Sequence, residues 1–194
     1  MIKKKISAHI KIIESLLGLE AQIDKAIQLI FNVIKSEKKI LICGNGGSAA
    51  DAQHLTAEFI VRLKSSFNRK ALPIIPLALD SSTLTACGND YGFDNIFLRT
   101  FEALHKKGDL LIVLSTSGNS KNILKVLKKA KEKKIKTICF LGNKGGESKK
   151  FGKINIIVPT KDTAIIQESH IFLGHYIFEE VEKKLFKKNY SPNI

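Results

Sequence analysis

His54 and Glu58 stand four residues apart, and in a helix that spacing puts both on one face. An imidazole and a carboxylate so placed can hold a divalent metal or pass a proton. The same spacing serves a solvated hydrogen-bonded pair equally well. Asp51 and Arg62 fall on the same side of the expected helix, while Ala52, Thr56, Phe59 and Leu63 face away and can pack. Such a helix is solvated on its polar side or lines a cleft. It follows an apolar run, Ile40-Leu41-Ile42, and the turn Cys43-Gly44-Asn45-Gly46-Gly47-Ser48. A strand, a glycine turn and a helix start leave backbone N–H groups free, which favours an anion there.

A second polar stretch, Ser115-Thr116-Ser117-Gly118-Asn119-Ser120, joins the apolar strand at 109–114 to another helix. One serine there would be an ordinary helix cap. Four hydroxyls with a glycine and helix N–H groups suit a phosphate monoester, which takes many neutral donors. Gly88-Asn89-Asp90 has turn composition, and an amide beside a carboxylate also suits sugar hydroxyls. Gln167 and His175 lie on a long helix among Ile165, Ile166, Ile171, Phe172, Ile177 and Phe178. A helix that apolar is buried, so its polar residues need partners. Gly44-x-Gly46-x-x-Ala49 fits a loose dinucleotide pattern. The acid that pattern expects about 20 residues later is not in place, since Asp80 lies too far along.

These residues need a scaffold, and the hydrophobic pattern supplies one. Residues 3–36 carry two amphipathic helical stripes with Gly18 between them, either packed locally or forming a subunit contact. Strands are expected at 39–43, 73–79, 109–114, 136–141 and 154–158, and helices at 47–64, 81–87, 93–105, 120–134 and 162–188, with Pro192 in a tail. Pro73 and Pro76 suggest an edge or irregular strand. Alternating strands and helices with near-continuous apolar strands predict an α/β fold whose parallel sheet is covered on both faces. The chain reads as a single domain over 1–194, with 1–36 as N-terminal helices and 37–188 as the α/β core.

The 194 residues suffice for a sizeable core, and no apolar run reaches the roughly 18 residues of a membrane span. The basic start, Met1 to Lys5, lacks the apolar stretch of a signal peptide. Cys43, Cys87 and Cys139 have no metal or disulfide spacing and read as free buried thiols in a cytoplasmic protein. The formal charge of +14 comes from lysines spread over most helices, without interleaved aromatics. That pattern reads as solvated surface that can steer an anionic substrate, not as a nucleic-acid face.

Taken together, 43–54 with Glu58, 88–93, 115–120, and 166–170 with His175 resemble the sugar-isomerase (SIS) domain family over nearly the whole chain. The resemblance implies a five-stranded, flavodoxin-like α/β/α sandwich with added N-terminal helices. It implies an aldose–ketose isomerase taking sedoheptulose 7-phosphate to D-glycero-D-manno-heptose 7-phosphate through an enediol, for cell-surface heptose. It implies that Asn45, Gly46, Gly47, Ser48, Glu58, Asn89, Asp90, Ser115, Thr116, Ser117, Ser120 and Gln167 contact substrate. It implies that His54, Glu58, Gln167 and His175 bind zinc, with Glu58 and His175 also acting in acid–base catalysis. His9, His105 and His170 carry no such role and read as structural or solvated. Two departures stand out: Ile165 where the family usually has arginine, and Val61 where glycine is common. The resemblance also implies a homotetramer with sites at subunit contacts. Gln167 and His175 are eight residues apart on one helix, about 12 Å along its axis, so Glu58 and His175 of one site are expected from different chains. Non-catalytic relatives, which bind a replication initiator or sense a sugar phosphate, are the alternative. The initiator-binding relatives tend to lack the residues matching Glu58 and His175, and a sensor would not need a metal-type quartet.

Overall fold

The computed structural model describes residues 1–78 and 80–187. Five strands, β1 (Ile40–Gly44), β2 (Ile74–Pro76), β3 (Leu110–Ser115), β4 (Lys136–Gly142) and β5 (Ile154–Val158), form a parallel sheet in the order β2-β1-β3-β4-β5. The helices are α1 (Ile2–Ser15), α2 (Glu20–Lys35), α3 (Gly47–Ile60), α4 (Ser81–Tyr91), α5 (Ile96–Leu104), α6 (Lys121–Glu132) and α7 (Thr163–Leu185). The α/β/α architecture expected from the alternating pattern is the one observed. Successive strand residues point to opposite faces. Ile40, Ile42, Ile112, Leu114 and Phe140 join the core under α2, α3 and α7. Leu41, Cys43, Val113, Cys139 and Leu141 join the core under α5 and α6. All three cysteines are buried and free. Burial pushes the Cys139 thiol up to about 12, so it stays protonated and packs as a small apolar group. Among the described residues, no helix is long and apolar enough to cross a membrane.

Several boundaries differ from the sequence expectation, each for a local reason. The edge strand β2 is shorter than 73–79, because Pro73 and Pro76 bring no N–H to the ladder; Leu79 lies outside the described residues. Gly88-Asn89-Asp90 is not a turn. It lies inside α4, which stops at Gly92, whose φ of +79° gives the left-handed exit that glycine allows. α3 ends at Ile60 and not near residue 64, so Arg62 lies beyond the helix and not on its polar face. Lys188 and Pro192 fall outside the described residues. Of the two N-terminal stripes, that of α2 packs, burying Ile23, Ala26, Ile27, Ile30, Val33 and Ile34. None of the residues of α1 is buried.

β1 and β3 are neighbours, yet the helices that follow them, α3 and α6, cover opposite faces of the sheet. The chain therefore splays apart beyond the carboxyl ends of these two strands. Such a switch point opens a crevice where ligands bind in open α/β sheets.

One core group carries a pH signature. His170 is fully buried on α7, and its Nε2 donates to the Leu141 carbonyl at 3.2 Å. Its Nδ1 is buried without a partner. Burial lowers its pKa from 6.5 to about 4, against the smaller opposing effect of the Leu141 bond. The folded value lies below the unfolded one, so the neutral ring's contribution is complete above pH 6.5 and is lost as pH falls toward 4. The shift corresponds to about 3 kcal/mol at most. Unfolding free energy measured in urea should fall by that order more between pH 7 and 4.5 in the parent than in His170→Gln. Parallel pH profiles would remove His170 as the cause.

Candidate functional site

The turns after β1 and β3 meet over the switch point. Asn45, Ser48, Leu114, Ser115, Thr116, Ser120 and Gln167 line a small cavity of about 50 Å³ there. Ser48 and Ser115 are buried, while Thr116 and Ser120 are partly open. The N-cap positions of α3 and α6 are Gly46 and Ser120, and neither caps its helix with a side chain. By contrast, Asp80 and Asp162 cap α4 and α7. Ala49 N–H bonds the Gly46 carbonyl and Ile123 N–H bonds Asn122 Oδ1, which leaves the earlier first-turn amides of α3 and α6 to be satisfied from the cavity side, with hydroxyls beside them, and that suits an oxyanion. The serine turn is held from behind. A Cβ on Gly118 would meet the Gly145 carbonyl at 2.1 Å, and φ there is +66°, so only glycine fits. A Cβ on Gly47 would lie 2.6 Å from Gln167 Nε2, so the absence of a side chain lets the Gln167 amide reach the start of α3.

Two turns further along α3, a second group gathers. Donor atoms of His54, Glu58 and His175 all lie within 4.8 Å of one another. His54 Nε2 and His175 Nε2 are 2.8 Å apart, and Glu58 Oε1 is 3.7 Å from His54 Nε2. At 2.8 Å one of the two imidazole nitrogens must be an unprotonated acceptor, whose lone pair takes the other ring's N–H here and could instead meet a metal. Burial, then the nearby His54, lower the pKa of His175, and Glu58 opposes them. Two imidazoles and a carboxylate are the donor set of a catalytic zinc centre, and their convergence fits such an ion. Asp51 sits on the same stripe, one turn before. Burial raises its pKa, with His54 opposing, and its Oδ2 has no protein partner.

Most of the residues singled out in the sequence come together, with three exceptions. Gln167 stands at the anion cavity beside Gly47, seven residues before His54 on α3 and so about 10 Å along the axis. It does not stand with the histidine pair. Asn89 and Asp90 are exposed near the end of α4, hydrogen-bonded to each other, and line neither the cavity nor the metal-type group. Glu58 and His175 do not need two chains, because a single chain brings them together. Gln167 and His175 meet different turns of α3, at Gly47 and His54, so no single ion has to span the distance between them. Two contributors had no motif to announce them. Asn122, buried at the start of α6, bonds to Asn45. Arg69, on the segment after α3, pairs with Glu182 of α7, and its Nη2 donates to the Glu58 carbonyl at 3.0 Å. Their only sequence signal is polarity next to apolar runs.

Comparison with known proteins places this arrangement in context. Residues 6–142 match the family model described as the SIS domain. A phosphoheptose isomerase from Clostridium acetobutylicum is 49% identical over 185 residues, covering 95% of this chain and 93% of the relative. A solved phosphoheptose isomerase from Francisella tularensis superposes with a TM-score of 0.89 at 31% identity, over 94% of this chain and 96% of that one. One from Neisseria gonorrhoeae gives 0.85 at 36% identity, over 94% and 100%.

Proposed function

The chain belongs to the phosphoheptose isomerase family of SIS domain proteins, and we propose that it converts sedoheptulose 7-phosphate to D-glycero-D-manno-heptose 7-phosphate at the site between α3 and α7. One observation carries the reading: the oxyanion cavity at the start of α3 and the His54, Glu58, His175 group share one stripe of that helix, about two turns apart. A sugar anchored by its phosphate at one end must lie extended to react at the other. The product suits heptose assembly for cell-surface glycans.

In this reading Ser48, Ser115, Thr116, Ser117 and Ser120, with the first-turn amides of α3 and α6, hold the phosphate. Asn45, Gly46, Gly47 and Gln167 line the path toward the reacting end. The Glu58 carboxylate takes the proton from one carbon and returns it to its neighbour, and the His175 imidazole moves a proton between the two oxygens. A zinc ion held by His54, Glu58 and His175 would supply positive charge beside the oxygen that becomes anionic. Gln167 at the anion cavity is, in this reading, a substrate contact and not a metal ligand.

We also propose a homotetramer. α1 has no fully buried residue, and the apolar side chains it packs on its own core are the half-buried Ile12 and Ile13. Leu17, Phe172 and Tyr176 stay exposed along a groove between the N-terminal helices and α7. Asn89 and Asp90 do not line the cavity of their own chain, and in this reading they reach substrate from a neighbouring subunit. Light scattering that returns a monomer mass at working concentration would end this assignment.

Two substitutions separate the two ends of the site. Glu58→Gln should lower kcat at least about 10²-fold with the fold intact, because it removes the base. Ser120→Ala should mainly raise KM, because the phosphate is held alike in ground and transition states. Folded Glu58→Gln with parental turnover of sedoheptulose 7-phosphate would exclude Glu58 from the chemistry. No turnover by the metal-replete parent would favour a non-catalytic role.

Zinc is tested separately. Protein stripped by a strong chelator should lose activity and regain it with added zinc, and calorimetry should show one zinc per chain in the parent and much weaker binding in His54→Ala. Equal zinc affinity in the two proteins would leave the metal without its proposed ligands.

A further inference from the structure

We propose that Asn122 is a positioning residue of the anion cavity: through a reciprocal amide pair it sets the side chain of Asn45 and ties the turn after β1 to the start of α6. Asn45 Nδ2 donates to Asn122 Oδ1 at 2.9 Å, and Asn122 Nδ2 donates to Asn45 Oδ1 at 2.8 Å. Asn122 Oδ1 also accepts the backbone N–H of Ile123 at 2.9 Å. That backbone group can only donate, so it fixes which way round the Asn122 amide stands. The Asn122 amide in turn fixes that of Asn45. The order runs from the α6 backbone, through a side chain that is 2% exposed, to a side chain on the cavity wall. Asn122 itself does not line the cavity.

The location explains why such a strut is needed. The ladder between β1 and β3 ends at the pair Gly44 and Leu114. Beyond it the chain splays, since α3 and α6 cover opposite faces. The Asn45–Asn122 pair bridges the two turns just where that ladder stops. Two helix starts that must present donors to one oxyanion are thereby held in one frame before the ligand arrives. Such preorganisation lowers the ordering cost of binding. With one N–H and one lone pair engaged, Asn45 keeps one N–H and one lone pair in a fixed orientation for the ligand.

This inference rests on the reading of the cavity as a phosphate site, and the test separates the two. Inorganic phosphate is titrated into the parent, Asn122→Ala, Asn45→Ala and the double variant, alongside steady-state kinetics and thermal unfolding. Asn122→Ala should weaken phosphate binding and raise KM by about tenfold, the loss of roughly one hydrogen bond, with kcat within about threefold of the parent. The double variant should be no weaker than Asn122→Ala alone, because the two residues act as one unit. A purely structural role would lower the melting temperature and leave phosphate affinity and KM unchanged. A folded Asn122→Ala with parental phosphate affinity, or losses that add in the double variant, would overturn the proposal. If Asn122→Ala does not fold, Asn45→Ala, altered at a partly exposed position, must show the same tenfold loss, and parental affinity there overturns it. If the parent does not bind inorganic phosphate at all, the phosphate reading fails and this inference fails with it.

Discussion

The seam between α3 and α7 is the constraint on which the site depends. The two helices run parallel, so each turn of one meets the corresponding turn of the other. Gln167 reaches over Gly47, and Leu55 packs where a Cβ on Gly174 would lie, 2.7 Å away. His54 meets His175, and the rings of Phe59 and Phe178 pack tilted at 40° with centroids 4.4 Å apart. Beyond the end of α3, Arg69 and Glu182 form an ion pair whose side chains are each 1% exposed. The Arg69 guanidinium also donates to the carbonyls of Glu58 and Val61, which the helix end leaves without intrahelical partners. The group that terminates α3 is therefore the group that ties it to α7. Removing one member of such a buried pair costs about 3–5 kcal/mol, because the other charge is stranded. The last turn of α3, which carries Glu58, is held from both sides.

The seam also divides the chemistry. The helix N-terminus and the serine turn offer neutral donors, suited to an anion that keeps its charge throughout the reaction. The middle of the seam offers titratable groups, suited to protons that move. The small cavity and the His54, Glu58, His175 group are thus kept about two turns apart on one helix. A parallel sheet makes this possible, because every strand delivers its turn to the same edge, and the order β2-β1-β3 opens the crevice between the first and third turns.

Much of this was legible in the sequence, for physical reasons. Apolar runs at 40–42 and 110–114 mark strands buried on both faces, and the hydroxyl-rich stretch at 115–120 supplies Ser115, Thr116 and Ser120 to the cavity lining. The pair His54 and Glu58 shares a face by helix period alone. What the sequence could not show is which helices become neighbours. His175 was visible as a polar residue in an apolar helix. That its partner was His54 of the same chain, and that Gln167 instead met Gly47, follows from the parallel alignment of α3 and α7. Gly88 looked like a stop, yet a glycine inside a helix costs only about 1 kcal/mol, and the exit came at Gly92. Asn122 and Arg69 have ordinary polar neighbours in sequence, and their burial and bonds exist only once the sheet is assembled.

The central claim is that one chain supplies both Glu58 and His175 to each site. Subunit exchange tests it most directly. Glu58→Gln and His175→Ala proteins, each inactive, are mixed under conditions where mass-tagged subunits are shown to redistribute, and isomerase activity is followed. With both residues from one chain, every site keeps one defect, and activity stays at the level of the separate variants. Activity that rises as subunits exchange would contradict the account, since sites free of both defects can form only if the two residues come from different chains.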